Sequence, residues 1–389
     1  MKLKFKVIKG SKIIFFAAVA MLIYGSVMVF SAEMGNSAGD TAYLQTQVIK
    51  QVICAVAGLV MYFIFSFIPF ARLNNLLIWL LYIAGMIGLF AARFLFEPVN
   101  GAYAWIRFSS FTIQPSEFCK VFIILLGAKY LGYNHKDNIK CFKIFIVASI
   151  MYVLFIMFGQ HDLGSAVVLA IIAYCICLIP DYPELKKIQR WMIIGMIAII
   201  GLMIVLMSPP VTNFLIKYKD NYMVARFLAA ANPFMFQYNQ GYHLIMSLVS
   251  FAQGGLLGLH YGNSIHKYMN FPNPSSDFIL PILVEELGIV GFVGFLVIYG
   301  CILVPLIYYS LKIKTTITKI VLLGTFLYFA VHFILNVGGV SGFIPLTGVP
   351  LLLLSAGGSS IMSCMIALGL SQSEIEKAIV KNENNSREV

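Results

Sequence analysis

Long apolar runs separated by short polar stretches organise this chain. A helix needs roughly 20 predominantly apolar residues to cross about 30 Å of hydrocarbon, and each run is near that length. The eighth run is too long for one perpendicular crossing, so it must be tilted or have protruding ends. The pattern predicts an all-α membrane protein, one domain over residues 1–389, with ten transmembrane helices at 12–31, 47–69, 75–96, 114–132, 142–159, 163–180, 190–208, 277–310, 317–337 and 350–371.

The composition supports a membrane protein. Hydrophobic residues make up 60% of the chain and charged residues only 11%, whereas soluble domains are about one quarter charged. Most Lys and Arg residues fall in alternate connections and at both ends of the chain. Because basic connections stay on the cytoplasmic side, both termini are predicted to be cytoplasmic. The net charge of +11 follows from this bias and from attraction to anionic lipid, so it requires no nucleic-acid partner.

Two extracytoplasmic connections are predicted to be long, one at roughly 93–114 and a larger one at 208–276, between spans seven and eight. Long connections commonly carry function. The larger one contains basic and aromatic residues and an amphipathic segment at 242–257, so we expect helical pieces lying on the membrane face. Residues 372–389 are polar and are expected to form a flexible cytoplasmic tail.

Three acidic residues mark the eighth run. Asp277 stands at its extracytoplasmic mouth, and Glu285 and Glu286 follow about two helical turns further in, roughly 12 Å along the axis. An acidic group within hydrocarbon costs on the order of 3 kcal/mol unless it is paired or faces a wet cavity. The three acids therefore indicate a functional site, with a structural ion pair as the alternative.

The fourth run begins with the sequence QPSE at 114–117. Pro suits the first helical turn and the helix dipole favours an acid there, so capping alone accounts for the motif. Lys120 follows Glu117 at a spacing of three, which allows an ion pair. The functional alternative is a polar floor under an outward-facing groove. Trp105, just upstream, is a plain interface anchor in the simplest interpretation.

Two further segments lie at predicted extracytoplasmic turns. Asp162 is either the cap of the sixth span or a second carboxylate facing the same cavity as Asp277. Residues 336–360 are rich in Gly and Pro and should interrupt regular helix, which is tolerated at membrane depth only where the backbone is buried in protein or lines a cavity. A helix-packing face of small residues is the alternative. Histidines lack ligand spacing, so no metal site is expected.

Taken together, these residues resemble the SEDS family, the bacterial shape, elongation, division and sporulation proteins that include FtsW, RodA and SpoVE. The resemblance covers essentially the whole chain, and the motifs occur in the family's order. It is carried by NGA with Trp105, QPSE with Lys120, DLGSA at 162–166, Arg226, the segments at 240–258 and 277–288, and NVGGVSGFIPLTGVPL from Asn336, followed by Gly357, Gly358 and Ser359.

The resemblance implies a peptidoglycan glycosyltransferase that polymerises lipid II at the outer face of the bacterial cytoplasmic membrane, for division, elongation or sporulation. It implies Asp277 as the catalytic carboxylate, a general base for the acceptor sugar's hydroxyl. The departing diphosphate needs cationic or hydrogen-bonding partners, for which Arg226 and Lys120 are the first choice. The other residues expected to bind substrate are Gln114, Ser116, Glu117, Asp162, Trp105 and the outward-facing Lys267.

Glu285 and Glu286 lie too deep for the sugar step, so we expect them to act in structural or proton-relay pairing. The resemblance also implies a class B penicillin-binding protein as transpeptidase partner, along with other divisome or elongasome membrane proteins. No cofactor is evident, although a divalent cation such as Mg²⁺ or Mn²⁺ bridging the diphosphate would be chemically reasonable.

The chain departs from the family pattern at Ala104, His161, Leu352 and Ala356, with Arg107 as a substitute for an arginine that relatives carry beside Trp105. Two alternative functions stay open. A transporter of lipid-linked precursors would also combine many helices with intramembrane carboxylates and broken helices. A non-catalytic scaffold would only recruit the transpeptidase. The acidic residues gather toward the outer mouths of the spans, and this position favours surface chemistry over transport.

Overall fold

The computed structural model describes residues 2–37, 39–68, 74–99, 101–108, 111–206, 208–218, 221–238, 240–269, 271 and 273–385. These residues form a helical protein with one small hairpin. In chain order the elements are α1 Lys2–Ser37, α2 Thr41–Ser66, α3 Asn75–Leu95, β1 Ile106–Phe108, β2 Phe111–Ile113, α4 Pro115–Tyr130, α5 Asn138–Leu154, α6 Leu163–Cys177, α7 Lys186–Leu206, α8 Pro209–Leu215, α9 Tyr222–Ala231, α10 Gln240–Gly254, α11 Ile279–Lys312, α12 Thr316–Val340 and α13 Gly358–Asn385.

Seven of the described helices are long and apolar enough to cross a membrane, namely α1, α2, α3, α5 with its π-helical extension to Gly159, α7, α11 and α12. This confirms a helical protein with several candidate membrane spans. Helices α4 and α6 have only 16 and 15 residues, and most of their residues are buried by neighbouring helices. The prediction of ten spans is therefore supported in part by the seven helices.

Local sequence sets the start of several helices. Asp40, Asn74, Asp137 and Asp162 each accept a hydrogen bond from a backbone N–H in the first turn of α2, α3, α5 and α6. Such caps satisfy donors that would otherwise be left without a partner at a helix N-terminus. Helix α4 has Pro115 in its first turn, as the QPSE motif predicts. Pro115 thus marks the start of α4, and the Asp162 cap marks the start of α6.

Helix α11 is long because two helical pieces meet at a kink. Gly288 has a φ of 65° and a ψ of −165°, which breaks the helical path. The segment after α10 fills the break: Leu259 N donates to Glu285 O at 2.8 Å, and Ile289 N donates to Gly255 O at 3.0 Å. A Cβ on Gly288 would lie 2.3 Å from Leu256 O, so only glycine fits. The eighth span, which was expected to be tilted or to have protruding ends, is kinked at Gly288.

The Gly- and Pro-rich segment 336–360 interrupts regular helix, as predicted, although its first five residues belong to α12 and its last three to α13. Residues 341–357 contain turns and extended backbone, and Leu351 to Ser355 are buried in protein. The tenth span was expected to begin at 350, but helix α13 begins only at Gly358 because the preceding residues turn, with Leu353 at a φ of 65°. Helix α13 then continues to Asn385, so the first part of the expected tail is helical; its flexibility stays a prediction.

The two long connections, which are predicted to be extracytoplasmic, differ in structure. The first contains the antiparallel β1–β2 hairpin, with Arg107 opposite Thr112. The prediction of an all-α fold missed this hairpin. Its strands have three residues each, which is too short to be recognised from periodicity in the sequence. The second contains α8, α9 and α10, which confirms the expected helical pieces. Helix α7, just before it, has no buried residues within the described chain.

Candidate functional site

A cavity of about 1280 Å³ lies where the starts of α4 and α6 meet the end of α12, the residues before α11 and the segment 346–360. Its wall is mixed, with apolar residues interrupted by carboxylate, ammonium, imidazole, amide and hydroxyl groups. Large concave sites with a few convergent polar groups are the usual form of ligand sites. Six of the sequence-predicted residues line it: Trp105, Gln114, Glu117, Lys120, Asp162 and Asp277.

Asp277 is held by hydrogen bonds around its backbone and side chain. Asn336 Nδ2 on α12 donates to the carbonyl oxygen of Asp277 at 2.9 Å. Ser276 Oγ donates to Asp277 Oδ1 at 2.8 Å, and Ser355 Oγ donates to the carbonyl of Ser276 at 2.7 Å. Gly348 faces the carboxylate, since a Cβ there would lie 3.6 Å from Asp277 Oδ2. The carboxylate is thus presented to the cavity from a fixed loop.

Glu117 and Lys120 form the ion pair that their spacing predicts. Lys120 Nζ lies 2.5 Å from Glu117 Oε1, and both side chains are buried. Tyr328 OH donates to Glu117 Oε2 at 2.7 Å. A buried ion pair needs such additional hydrogen bonds, because removing two charges from water is costly. The QPSE motif is therefore more than a helix start, since its acid belongs to a polar cluster in the cavity wall.

His332 completes this cluster from α12. Its Nε2 lies 3.1 Å from Lys120 Nζ, and its Nδ1 lies 2.9 Å from the carbonyl oxygen of Pro350. A carbonyl only accepts hydrogen bonds, so Nδ1 carries the proton and Nε2 accepts from the ammonium. An ammonium has three N–H donors, and Glu117 and His332 use two of them. Among the described residues Lys120 has no third hydrogen-bond partner, so one N–H is left to donate to a ligand in the cavity.

Gln114 and Asp162 join the starts of α4 and α6. Gln114 Nε2 donates to Asp162 Oδ2 at 3.0 Å, and Asp162 Oδ1 accepts from the backbone N–H of Ser165 at 3.0 Å. The backbone N–H of Gln114 donates to Ser359 Oγ at 2.8 Å, which ties α13 to the same corner. The two interpretations of Asp162 are both correct, because it caps α6 with one oxygen and faces the cavity.

The remaining predicted residues lie elsewhere. Lys267 does not line the cavity: its Nζ is buried against Glu286 Oε1 at 2.7 Å. Glu285 accepts from Ser264 Oγ at 2.6 Å and pairs with His266 Nδ1 at 2.8 Å. Both glutamates are therefore paired, and their structural or proton-relay role stays a prediction. Lys267 belongs to their cluster and does not line the cavity in which the diphosphate is expected to bind.

Ser116 and Arg226 are the two other residues predicted to bind substrate. Ser116 is fully buried outside the cavity wall, and its Oγ has no hydrogen-bond partner among the described residues. Arg226 lies on α9, but its side chain is outside the described part of the structure. The same helix supplies Ala229 and Ala230 to the cavity wall. The involvement of Ser116 and Arg226 in substrate binding stays a prediction.

Two of the four departures from the family pattern line the cavity. His161 and Ala356 line it, and the backbone N–H of Ala356 donates to Ser275 O at 2.8 Å. Ala104 and Leu352 are buried. Arg107 is exposed on β1 and does not line the cavity, so the structure does not place it as a substitute arginine at the site.

Sequence reasoning missed His332, Asn336 and Tyr328. His332 lacks a second histidine at metal-ligand spacing, yet the three residues recur every four positions along α12. Residues four apart lie on the same face of a helix. A polar stripe of Tyr, His and Asn in an apolar helix was therefore the signal that could have identified this wall of the cavity.

His243 on α10 also lines the cavity. Burial lowers the pKa of His243 below its usual value of 6.5. The protonated imidazole is disfavoured because burial removes the water that would solvate its charge. His243 therefore presents a neutral imidazole to the cavity near neutral pH.

Comparison with known proteins relates the whole chain to one group. Residues 11–377 match the family model FTSW_RODA_SPOVE, described as cell cycle protein. The chain is similar to the probable peptidoglycan glycosyltransferase FtsW of Bacillus subtilis, with 29% identity over 91% of this chain and 88% of the relative. It is also similar to stage V sporulation protein E of the same organism, with 32% identity over 70% of each chain.

A solved structure shares the fold. One chain of a peptidoglycan synthase complex, studied for the coordination of polymerization and crosslinking, superimposes with a TM-score of 0.71. The two chains are 24% identical, and the match covers 94% of this chain and 97% of the other.

Proposed function

The chain belongs to the FtsW, RodA and SpoVE family of cell cycle proteins, and we propose that it polymerises lipid II into glycan strands with Asp277 as catalytic carboxylate. Its activity is that of a peptidoglycan glycosyltransferase, the activity given in the name of the FtsW relative. The observation that carries the role of Asp277 is its position in the wall of the large polar cavity, on a loop fixed by Asn336 and Ser355.

In the proposed reaction, Asp277 acts as general base. It removes the proton from the 4-hydroxyl of the acceptor sugar as that oxygen attacks the anomeric carbon of the donor. A new glycosidic bond forms while the bond from the anomeric carbon to the lipid diphosphate breaks, and the diphosphate keeps the electron pair. The fixed loop supports this role, because a base must be held within hydrogen-bond reach of the proton that it removes.

The leaving diphosphate needs stabilisation in the same cavity, and Lys120 is the described cation that lines its wall. Its partner Glu117 compensates its charge, and its remaining N–H is suited to donate to a phosphate oxygen. Arg226 is proposed as a second contributor on family resemblance alone. Glu117 and Gln114 position their neighbours Lys120 and Asp162, and Trp105 lines the same cavity.

We place this chemistry at the outer face of the bacterial cytoplasmic membrane. The basic connections argue for cytoplasmic termini and ten spans, with α4, α6 and α13 as the three beyond the seven long apolar helices. Helix α4 covers about 24 Å at 1.5 Å per residue, and neighbouring helices rather than lipid surround most of it. The connection predicted at 208–276 would then lie outside, between spans seven and eight.

The proposed partner is a class B penicillin-binding protein that crosslinks the product. The likeness to a chain of a peptidoglycan synthase complex supports a synthase partner in general. The described residues contain no group of three or more His, Cys, Asp or Glu that could hold a metal ion. If Mg²⁺ or Mn²⁺ takes part, we expect it to enter with the diphosphate of the substrate.

The test is glycan synthesis from lipid II by the purified full chain in liposomes, alone and with its penicillin-binding protein. We expect Asp277→Asn to reduce synthesis by about 100-fold or more, the usual contribution of a general base. Asp137→Asn, which changes the acid that caps α5 outside the cavity, is the control and should retain synthesis.

The outcomes separate the three functions. Equal synthesis by wild type and Asp277→Asn would exclude Asp277 as the base. Absent synthesis in both, with lipid II moved across the bilayer, would favour a transporter. Absent synthesis and transport, with the penicillin-binding protein still bound, would favour a scaffold.

A further inference from the structure

A buried carboxylate on α1 lies next to the loop that carries Asp277. Glu33 accepts hydrogen bonds from Ser275 Oγ at 2.5 Å, from Tyr43 OH at 2.9 Å and from Asn36 Nδ2 at 3.1 Å. Its side chain is buried, and it forms no ion pair with a cation in the described part of the chain. Glu33 is therefore satisfied by neutral donors, and one of them belongs to the loop of the active site.

Three separate parts of the fold form hydrogen bonds with the loop of Ser275 to Asp277. The backbone N–H of Ala356 donates to Ser275 O at 2.8 Å, from the segment before α13. Asn336 donates to the carbonyl oxygen of Asp277 from α12. The third contact comes from α1, where Glu33 accepts a hydrogen bond from the side chain of Ser275. Without it, the hydroxyl of Ser275, which is buried, would lose its acceptor.

The three donors around Glu33 explain why an acidic residue stands there. An ionised carboxylate only accepts hydrogen bonds and offers about four lone-pair positions, which matches converging donors. Hydrogen bonds to a charged acceptor are also stronger than neutral ones. A leucine of similar size would fill the space but would leave Ser275 and Tyr43 without this partner. Residue 33 must therefore be a hydrogen-bond acceptor, and the space that it fills does not by itself explain why it is a glutamate.

We propose that Glu33 is a positioning residue for glycan synthesis, which fixes the Asp277 loop through the hydroxyl of Ser275. The inference rests on the proposed role of Asp277. A displacement of about 1 Å at a catalytic group can reduce the rate about 100-fold, so a loop contact two residues away affects the chemical step. Substrate binding involves the rest of the cavity wall, so the effect should fall on kcat and leave KM nearly constant.

The test compares Glu33→Leu, Glu33→Gln and Ser275→Ala in the lipid II assay with liposomes. We expect Glu33→Leu and Ser275→Ala each to lower kcat about tenfold or more, with KM changed less than threefold. Glu33→Gln should retain kcat within about threefold, because its amide oxygen still accepts from Ser275 while its amide nitrogen donates to Tyr43. The double variant Glu33→Leu/Ser275→Ala should be no worse than the poorer single variant, since both remove the same contact.

The control is Asn36→Ala, which removes the partner of Glu33 on the exposed side and should leave kcat within about twofold. If Glu33→Leu does not fold, Ser275→Ala alone decides the question, because it removes a single oxygen. Wild-type kcat in Ser275→Ala would overturn the inference, and so would a Glu33→Gln variant as poor as Glu33→Leu. If Asp277→Asn loses glycan synthesis while all Glu33 variants keep a normal kcat, this inference is refuted and the proposed function stands.

Discussion

Lys120 Nζ lies 3.1 Å from His332 Nε2, so an ammonium and a neutral imidazole share one hydrogen bond in the wall of the cavity. The contact joins α4 to α12 across 212 positions of sequence. Glu117 contacts the same Lys120 Nζ from within α4, so the ammonium is held between two partners in the cavity wall.

His332 should matter as a hydrogen-bond acceptor. We expect His332→Leu to lower glycan synthesis about tenfold or more, because Lys120 loses the partner that orients it. His332→Gln can accept through its amide oxygen and should keep most of the activity. The measurement is initial rate with lipid II in liposomes. Similar losses in both variants would show that the imidazole acts in some way other than by accepting from Lys120.

The Glu117–Lys120 pair should be costly to break from one side. Lys120→Met leaves a buried carboxylate without its cation, and removal of one partner of a buried pair costs about 3 to 5 kcal/mol. We expect a clearly lower unfolding temperature in detergent. The double variant Glu117→Gln/Lys120→Met should recover part of that loss, since no charge remains buried. Additive losses in the double variant would contradict this account.

Gly348 should be required for its backbone conformation and for space beside Asp277. Its φ is 68°, and a Cβ would contact Asp277 Oδ2 at 3.6 Å. Gly348→Val should therefore reduce synthesis strongly. Gly39→Val is the matched control, because Gly39 has a φ of 89° but open space around it. Backbone strain alone costs on the order of 1 to 3 kcal/mol. If both variants lose activity equally, proximity to Asp277 is not the reason.

Gly288 should be required for the kink in α11. A Cβ there would lie 2.3 Å from Leu256 O, so Gly288→Ala must push the segment after α10 out of the kink. We expect a lower unfolding temperature and weaker synthesis. Gly300→Ala lies in the same helix, with no atom within 4 Å of its Cβ, and should be neutral or stabilising by up to about 1 kcal/mol. Equal stability of the two variants would disprove the packing argument.

His243 should make stability depend on pH. Burial holds its folded pKa below 6.5, so between the folded pKa and 6.5 the unfolded chain binds more protons than the folded chain. Stability is therefore lost as pH falls through this window. We expect the unfolding temperature to drop less between pH 7.5 and 5.5 in His243→Gln than in wild type. An identical drop in both proteins would exclude His243 as the group responsible.

Many residues of the site could be predicted from local sequence. Asp277, Lys120 and Gln114 follow from motifs within a few residues of each helix start, and the structure brings them to one cavity. The ion pair between Glu117 and Lys120 depends only on helical spacing, so it was predictable as well. Lys267 could not be assigned in this way, because its nearest acid in space, Glu286, lies 19 positions along the chain.

The sequence by itself determined the helical fold with its candidate membrane spans, the family and the position of Asp277 before a long apolar helix, because hydrophobic runs, caps and ordered motifs are local properties. Only the tertiary structure decided which polar side chains meet. Glu33 and Ser275 are 242 positions apart, and Lys120 and His332 are 212 apart. Such contacts arise when packing removes water from several helices at once, and no periodicity along the chain records which buried donor will face which acceptor.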